Sequence, residues 1–226
     1  MLFRSDVDGR PYADLAEMAK RIVAAAAQAR IGLTLLPSFY AYGGFGGAPP
    51  STGQRRFIND PDRFLDLVER TRAAVSAMPG ASVGIAPHSL RAVTPATLRS
   101  VCQAAPEGPI HIHAAEQVRE VEDCIAALGR RPVEWPLENV GLDARWCVVH
   151  ATHTTESELK ALATSEAVVG LCPLTEAFRW RHLSGSRRTL RHRNGFEHPD
   201  RRRVGVAAVG ILAAAGATCP QYHDIA

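Results

Sequence analysis

What most constrains this chain is a rhythm of short apolar segments separated by helical ones. Residues 31–37, 82–86, 109–114, 147–150 and 167–173 are each short and apolar on both faces, as strands buried on two sides must be. Residues 60–78, 94–104, 116–128 and 155–163 lie between them and show helical spacing. A further amphipathic stretch, about 12–28, precedes the first strand, with Leu15, Met18, Ile22 and Val23 on one face. Asn59-Asp60-Pro61 and Thr94 supply helix-starting chemistry. Strands alternating with helices in this way predict an α/β fold with a parallel sheet.

The composition is compatible with a sizeable core, since 46% of the 226 residues are apolar. No run of eighteen apolar residues occurs, so no membrane-spanning helix is expected. The first residues, Met1 to Asp6, hold no apolar signal core, and the expected location is the cytoplasm. Cys102, Cys124, Cys147, Cys172 and Cys219 are scattered without a CxxC pair. That pattern argues against a disulfide scaffold and against a cysteine-bound zinc knuckle. The glycine-rich segment 42–47 is not a phosphate loop, because no Lys-Ser/Thr follows it.

The net charge of +3 averages two unlike pieces. Residues 1–177 carry 17 Lys and Arg against 20 Asp and Glu, whereas residues 178–226 carry 9 Arg against 3 acids. Arginine outnumbers lysine 24 to 2 across the chain, a bias that weakens any reading of Arg clusters as nucleic-acid patches. The tail has no periodicity around Arg187-Arg188 and Arg201-Arg202-Arg203, and its apolar run from Val204 to Ala217 has no polar face.

Histidines choose between an open sheet and a barrel. His88, His113 and His150 fall at the C-terminal ends of three successive predicted strands. One such His is commonly a core residue or a loop cap. Three in succession point to a shared site, and a parallel barrel gathers those strand ends on one face.

The strongest local pattern is His111-Ile112-His113-Ala114-Ala115-Glu116. Strand residues two apart share a face, so His111 and His113 both point inward. Imidazole ligates zinc well, and Glu116 stands where the strand turns into a helix. A carboxylate beside a metal can shuttle a proton to a leaving amine. Of the two histidines, His113 is taken as the metal ligand and His111 as structural. Arg91, three residues beyond His88, could grip a substrate carboxylate through two hydrogen bonds. His150 is a candidate acid/base or water-orienting group, and His153 is left as structural.

These segments together resemble the formimidoylglutamate deiminases of the amidohydrolase superfamily. The resemblance rests on Asp8 to Asp14, Gly32 to Pro37, Gly44 to Gly47, Gln54 to Phe57, Ala86 to Val93, His111 to Gln117, Arg131 to Trp135, Arg145 to His153 and Leu171 to Ala177. It implies a (β/α)8 TIM-like barrel of the metal-dependent type, of which about strands 3–7 are present. It also implies zinc as cofactor and hydrolysis of N-formimidoyl-L-glutamate to N-formyl-L-glutamate and ammonia in histidine degradation. By motif, His113 would bind zinc, Glu116 would pass a proton to the departing nitrogen, and His150 would orient or deprotonate the attacking water. His88 and Arg91 would hold the substrate. The expected partner is a small molecule, with no nucleic acid and no membrane; the full-length family allows a homodimer.

Two further metal-binding elements of that family are not found here: an HxH pair upstream of Asp8 and a Thr-Asp-Ser-Asn motif on a late strand. The resemblance stops after Ala177. Reading the bases of the tail one position later can give Gly-Asp-Ile-Phe-Pro from Trp180 to Ser184 and Gly-Thr-Asp-Ser-Asn-Ile from Arg193 to His198. The expectation is therefore a partial barrel at 1–177 and a non-homologous, out-of-frame basic tail at 178–226. A chain so truncated is expected to be inactive. The alternatives are another amidohydrolase deaminase acting on a nucleobase-type substrate, which would not need Arg91, and a non-catalytic relic, which would hold no stoichiometric zinc.

Overall fold

The computed structural model describes residues 5–6, 8–105, 107–173 and 175–176, together with the backbone of 206–208. Its elements run α1 (Glu17–Ala29), β1 (Thr34–Leu35), β2 (Ser38–Phe39), α2 (Pro61–Val75), β3 (Ser82–Val83), β4 (Ala86–Pro87), α3 (Pro95–Ala104) and β5 (Ile110–Ala114). They continue with α4 (Val118–Leu128), α5 (Glu134–Asn139), β6 (Trp146–His150), α6 (Glu156–Ser165), β7 (Val168–Leu171) and β8 (Val206–Ala208). Apart from the β8 backbone, the predicted tail at 178–226 lies outside the described residues.

Among the described strands every pairing is parallel: β1 lies beside β3, β2 beside β4, and β5, β6, β7 and β8 follow one another in sequence order. β1 and β2 pair with β3 and β4 at one constant offset of 48 residues, so each couple is a single interrupted strand. Ile85 joins that pair to β5 through a bridge with Ile110. The order never reverses, unlike that of a doubly wound sheet. Sequential parallel strands with intervening helices are a segment of a (β/α) barrel.

The interruptions have local causes. Pro37 has no N–H to donate between β1 and β2. Between β3 and β4, Gly84 lies so near the next strand that a Cβ there would run into the Pro109 carbonyl. The break at Gly84 falls inside the predicted strand 82–86, whereas β2 lies just beyond the predicted strand 31–37.

Two helices begin on the predicted caps, Asp60 and Thr94, and α6 begins on Thr155, the first residue of the predicted helical stretch. Asp60 accepts from Arg63 N–H, Thr94 from Thr97 N–H and Thr155 from Glu158 N–H. α1 starts at Glu17 rather than near Tyr12, and α4 starts at Val118, which leaves Glu116 on the loop before it. Sequence reading placed no helix at α5. Pro136 sits in the helix's first turn, where its missing N–H costs no bond. The glycine-rich segment forms a 3₁₀ turn at Phe45–Gly47.

The main core fills the space between the sheet and its helices. Ile110 and Ile112 of β5, with Trp146 and Val148 of β6, pack against Leu98, Val101, Val121, Cys124 and Leu162. A smaller cluster of Ala16, Ala19, Leu35 and Val75 seats α1. β5 alternates buried Ile with half-buried His, so its isoleucines face the helices and its histidines the other side of the sheet.

Candidate active site

The C-terminal ends of β4, β5 and β6 bring His88, His113 and His150 together. The His88 and His113 rings stack, with centroids 4.8 Å apart, and the His113 and His150 centroids are 5.6 Å apart. Tyr40 closes the row by meeting the His88 ring edge-on at 4.9 Å.

Hydrogen bonds fix the rings. His113 Nδ1 lies 2.9 Å from the His88 carbonyl oxygen, which can only accept, so Nδ1 carries the proton. The lone pair of His113 is therefore on Nε2. A ligating histidine is oriented in the same way, through its other ring nitrogen. His88 Nδ1 meets Ser89 Oγ at 3.0 Å.

His150 is 6% exposed and lies between two carboxylates. Its Nε2 is 3.6 Å from Glu116 Oε1 and its Nδ1 is 3.4 Å from Glu176 Oε1. The other oxygen of Glu116 is 3.9 Å from Arg91 Nη2. Arg91 Nε is buried and has no hydrogen-bond partner among the described residues. A buried guanidinium nitrogen left in this way calls for an acceptor beyond the described residues.

The backbone here is unusual. Ala115, His150 and Ala151 have φ of 54°, 73° and 49°, in the left-handed region that non-glycine residues avoid. Such positions cost on the order of 1–3 kcal/mol and cluster at active sites.

All five residues singled out in the sequence, His88, Arg91, His113, Glu116 and His150, gather at these strand ends. His111 shares the His113 face one layer deeper. His153 lies to the side, where Arg131 Nη2 donates to its carbonyl and Arg131 Nε donates to Glu158. Sequence reading missed Glu176. It sat inside a recognised segment, Leu171 to Ala177, but only the fold carries it across to His150. Its Oε1 also accepts from Cys172 N–H at 2.9 Å.

His113 suits zinc as one ligand, because its Nδ1 is held and its Nε2 keeps the lone pair. Among the described residues, no group of three or more His, Cys, Asp or Glu comes together as a metal shell. The remaining ligands of a four-coordinate site would lie outside those residues.

Burial, followed by the neighbouring His113 and Arg91, holds the His88 imidazole well below the ordinary histidine value. Burial also lowers His113 and His111. A lowered folded-state value means the unfolded chain binds more protons below its own value, about 6.5. These groups therefore cost nothing above that pH and destabilise the fold as pH falls through it. We expect a melting temperature several degrees lower at pH 5.5 than at pH 7.5, by circular dichroism. His88→Gln should flatten that slope; an unchanged slope would remove His88 as its source.

The fold is a segment of a parallel (β/α) barrel with histidines and carboxylates gathered at its C-terminal strand ends. The chain belongs to the amidohydrolase family, whose profile matches residues 13–218. It is 55% identical over 173 residues to a formimidoylglutamate deiminase from Pseudomonas aeruginosa, covering 76% of this chain and 38% of that protein. It is 34% identical over 117 residues to a 5-methylthioadenosine/S-adenosylhomocysteine deaminase from Nitratidesulfovibrio vulgaris, covering 50% of this chain and 26% of that one. A crystal structure of an amidohydrolase from Brucella melitensis superposes with a TM-score of 0.77 at 58% identity, over 79% of this chain and 40% of that one. A zinc-bound adenosine deaminase from Xanthomonas campestris shares the fold, with a TM-score of 0.57 at 24% identity, over 70% of this chain and 35% of that one. The chain thus spans about two fifths of the length of the Pseudomonas deiminase and of the Brucella amidohydrolase.

No helix among the described residues is long and apolar enough to cross a membrane.

Proposed function

We propose that this site belongs to a zinc-dependent deiminase that hydrolyses N-formimidoyl-L-glutamate to N-formyl-L-glutamate and ammonia. The observation that carries the reading is the meeting of Glu116, His150 and Arg91 beside His113. A divalent ion held by His113 would supply Lewis acidity and a water acidified towards neutral pH. His150 orients the attacking water or takes its proton. Glu116 carries a proton to the departing nitrogen, so that water adds to the formimidoyl carbon and its C–N bond to the terminal nitrogen breaks, releasing ammonia. Arg91 holds a substrate carboxylate, in keeping with its buried Nε, which has no hydrogen-bond partner among the described residues. His88, neutral by its lowered pKa, holds the substrate by hydrogen bonding.

Arg91 separates this substrate from a nucleobase, which carries no carboxylate. Calorimetry should show N-formimidoyl-L-glutamate binding weakened by about tenfold to a hundredfold in Arg91→Met, the loss of a charge-assisted pair. Unchanged affinity would favour a nucleobase-type substrate.

A second reading, a non-catalytic relic, is favoured by the incomplete metal shell among the described residues. Zinc stoichiometry, measured with ammonia release on the purified chain, separates the two. We also propose that residues 178–226 are an out-of-frame tail. The nucleotide sequence tests this, since codons unable to spell Thr-Asp-Ser-Asn one base later would end the idea.

A further inference from the structure

Glu120 is the third residue of α4 and is 4% exposed. A carboxylate at this helix position ordinarily accepts from the N–H of the capping residue, here Gln117. Glu120 reaches further back. Its Oε1 accepts from Ala115 N–H at 3.2 Å and its Oε2 from Glu116 N–H at 3.0 Å. Both oxygens are thereby committed to the two residues between β5 and the helix cap. One is Ala115, which holds the left-handed turn at φ 54°. The other is Glu116, whose side chain faces His150 and Arg91.

The arrangement is costly. Burial raises the Glu120 pKa, and the like charge of Glu116 adds to the effect, while Arg91 and the two amide donors oppose it. A helix start alone does not require it, because α6 is capped by Thr155 with Glu158 bonded in the ordinary way. The exceptional backbone at Ala115 and the placement of Glu116 do require two acceptors at this point.

We propose that Glu120 is a positioning residue: its buried carboxylate clamps the Ala115 and Glu116 amides and so sets where the Glu116 side chain stands. This rests on the reading of Glu116 as proton carrier for the reaction; the clamp itself is a property of the backbone.

The test compares the 226-residue chain with Glu120→Gln, which keeps the shape but offers one acceptor oxygen and turns an NH₂ towards the other amide. Glu122→Gln, on the exposed side of the same helix, is the control. The first readout is amide hydrogen exchange by NMR. We expect exchange at Ala115 and Glu116 to quicken at least about tenfold in Glu120→Gln, with His113 and the interior of α4 unchanged. Unaltered exchange at both amides overturns the proposal, as does equal loosening of all α4, which would make Glu120 a helix cap alone.

The second readout is turnover of N-formimidoyl-L-glutamate by the zinc-loaded chain. We expect kcat to fall about tenfold to a hundredfold, with KM within about twofold. A KM rise with unchanged kcat, or no kinetic change beside altered exchange, also overturns it. Absence of turnover in the parent chain counts against the deiminase reading, and exchange then decides the clamp by itself.

Discussion

Glu116→Gln is expected to lower turnover of N-formimidoyl-L-glutamate by about 10²- to 10⁴-fold, the span of a lost general acid or base. That loss corresponds to about 3–5 kcal/mol of transition-state stabilisation. The side chain is 13% exposed, with one oxygen 3.6 Å from His150 and the other 3.9 Å from Arg91. The amide keeps that size and shape and cannot carry a proton. Substrate affinity should therefore stay within a few-fold, measured by calorimetry beside an ammonia-release assay. A variant retaining turnover within about threefold of its parent would show that another group moves the proton.

The second large effect concerns the metal. His113→Ala should weaken zinc binding by more than about 100-fold, since changing a partner behind a ligand already costs 10- to 100-fold. The change also removes the Nδ1 contact to the His88 carbonyl and one ring from the stack. Circular dichroism must therefore show the variant folded before its zinc content is compared. His111→Ala is the matched comparison, on the same strand face one layer deeper, and should keep the parent's affinity. If the two variants lose zinc equally, or if His111→Ala alone loses it, the assignment of His113 as the ligand fails.

How far the site could be foreseen depended on how local each signal was. His111 and His113 were readable as a same-face pair because the strand period is two. His88 and His150 could be placed at strand ends, and Arg91 three residues beyond His88, because each histidine closes a short apolar segment that precedes a helical one. Glu176 was different. It stands 26 residues from His150, and nothing in its own segment names a partner. Glu120 likewise has no partner named by its own segment, since it stands in the first turn of a helix. Only the way α4 leaves β5 turns its carboxylate back onto Ala115 and Glu116.

The amino-acid order by itself determined the alternation of strands and helices, the capped helix starts, and the residues able to do the chemistry. These follow from backbone preference and side-chain period, which act over a few residues. Tertiary structure alone decided the sequential parallel order of the strands, the break at Gly84, the row of rings from Tyr40 to His150, and the carboxylates on either side of His150. Those depend on which distant segments touch, and burial in a packed barrel wall sets that rather than any local rule.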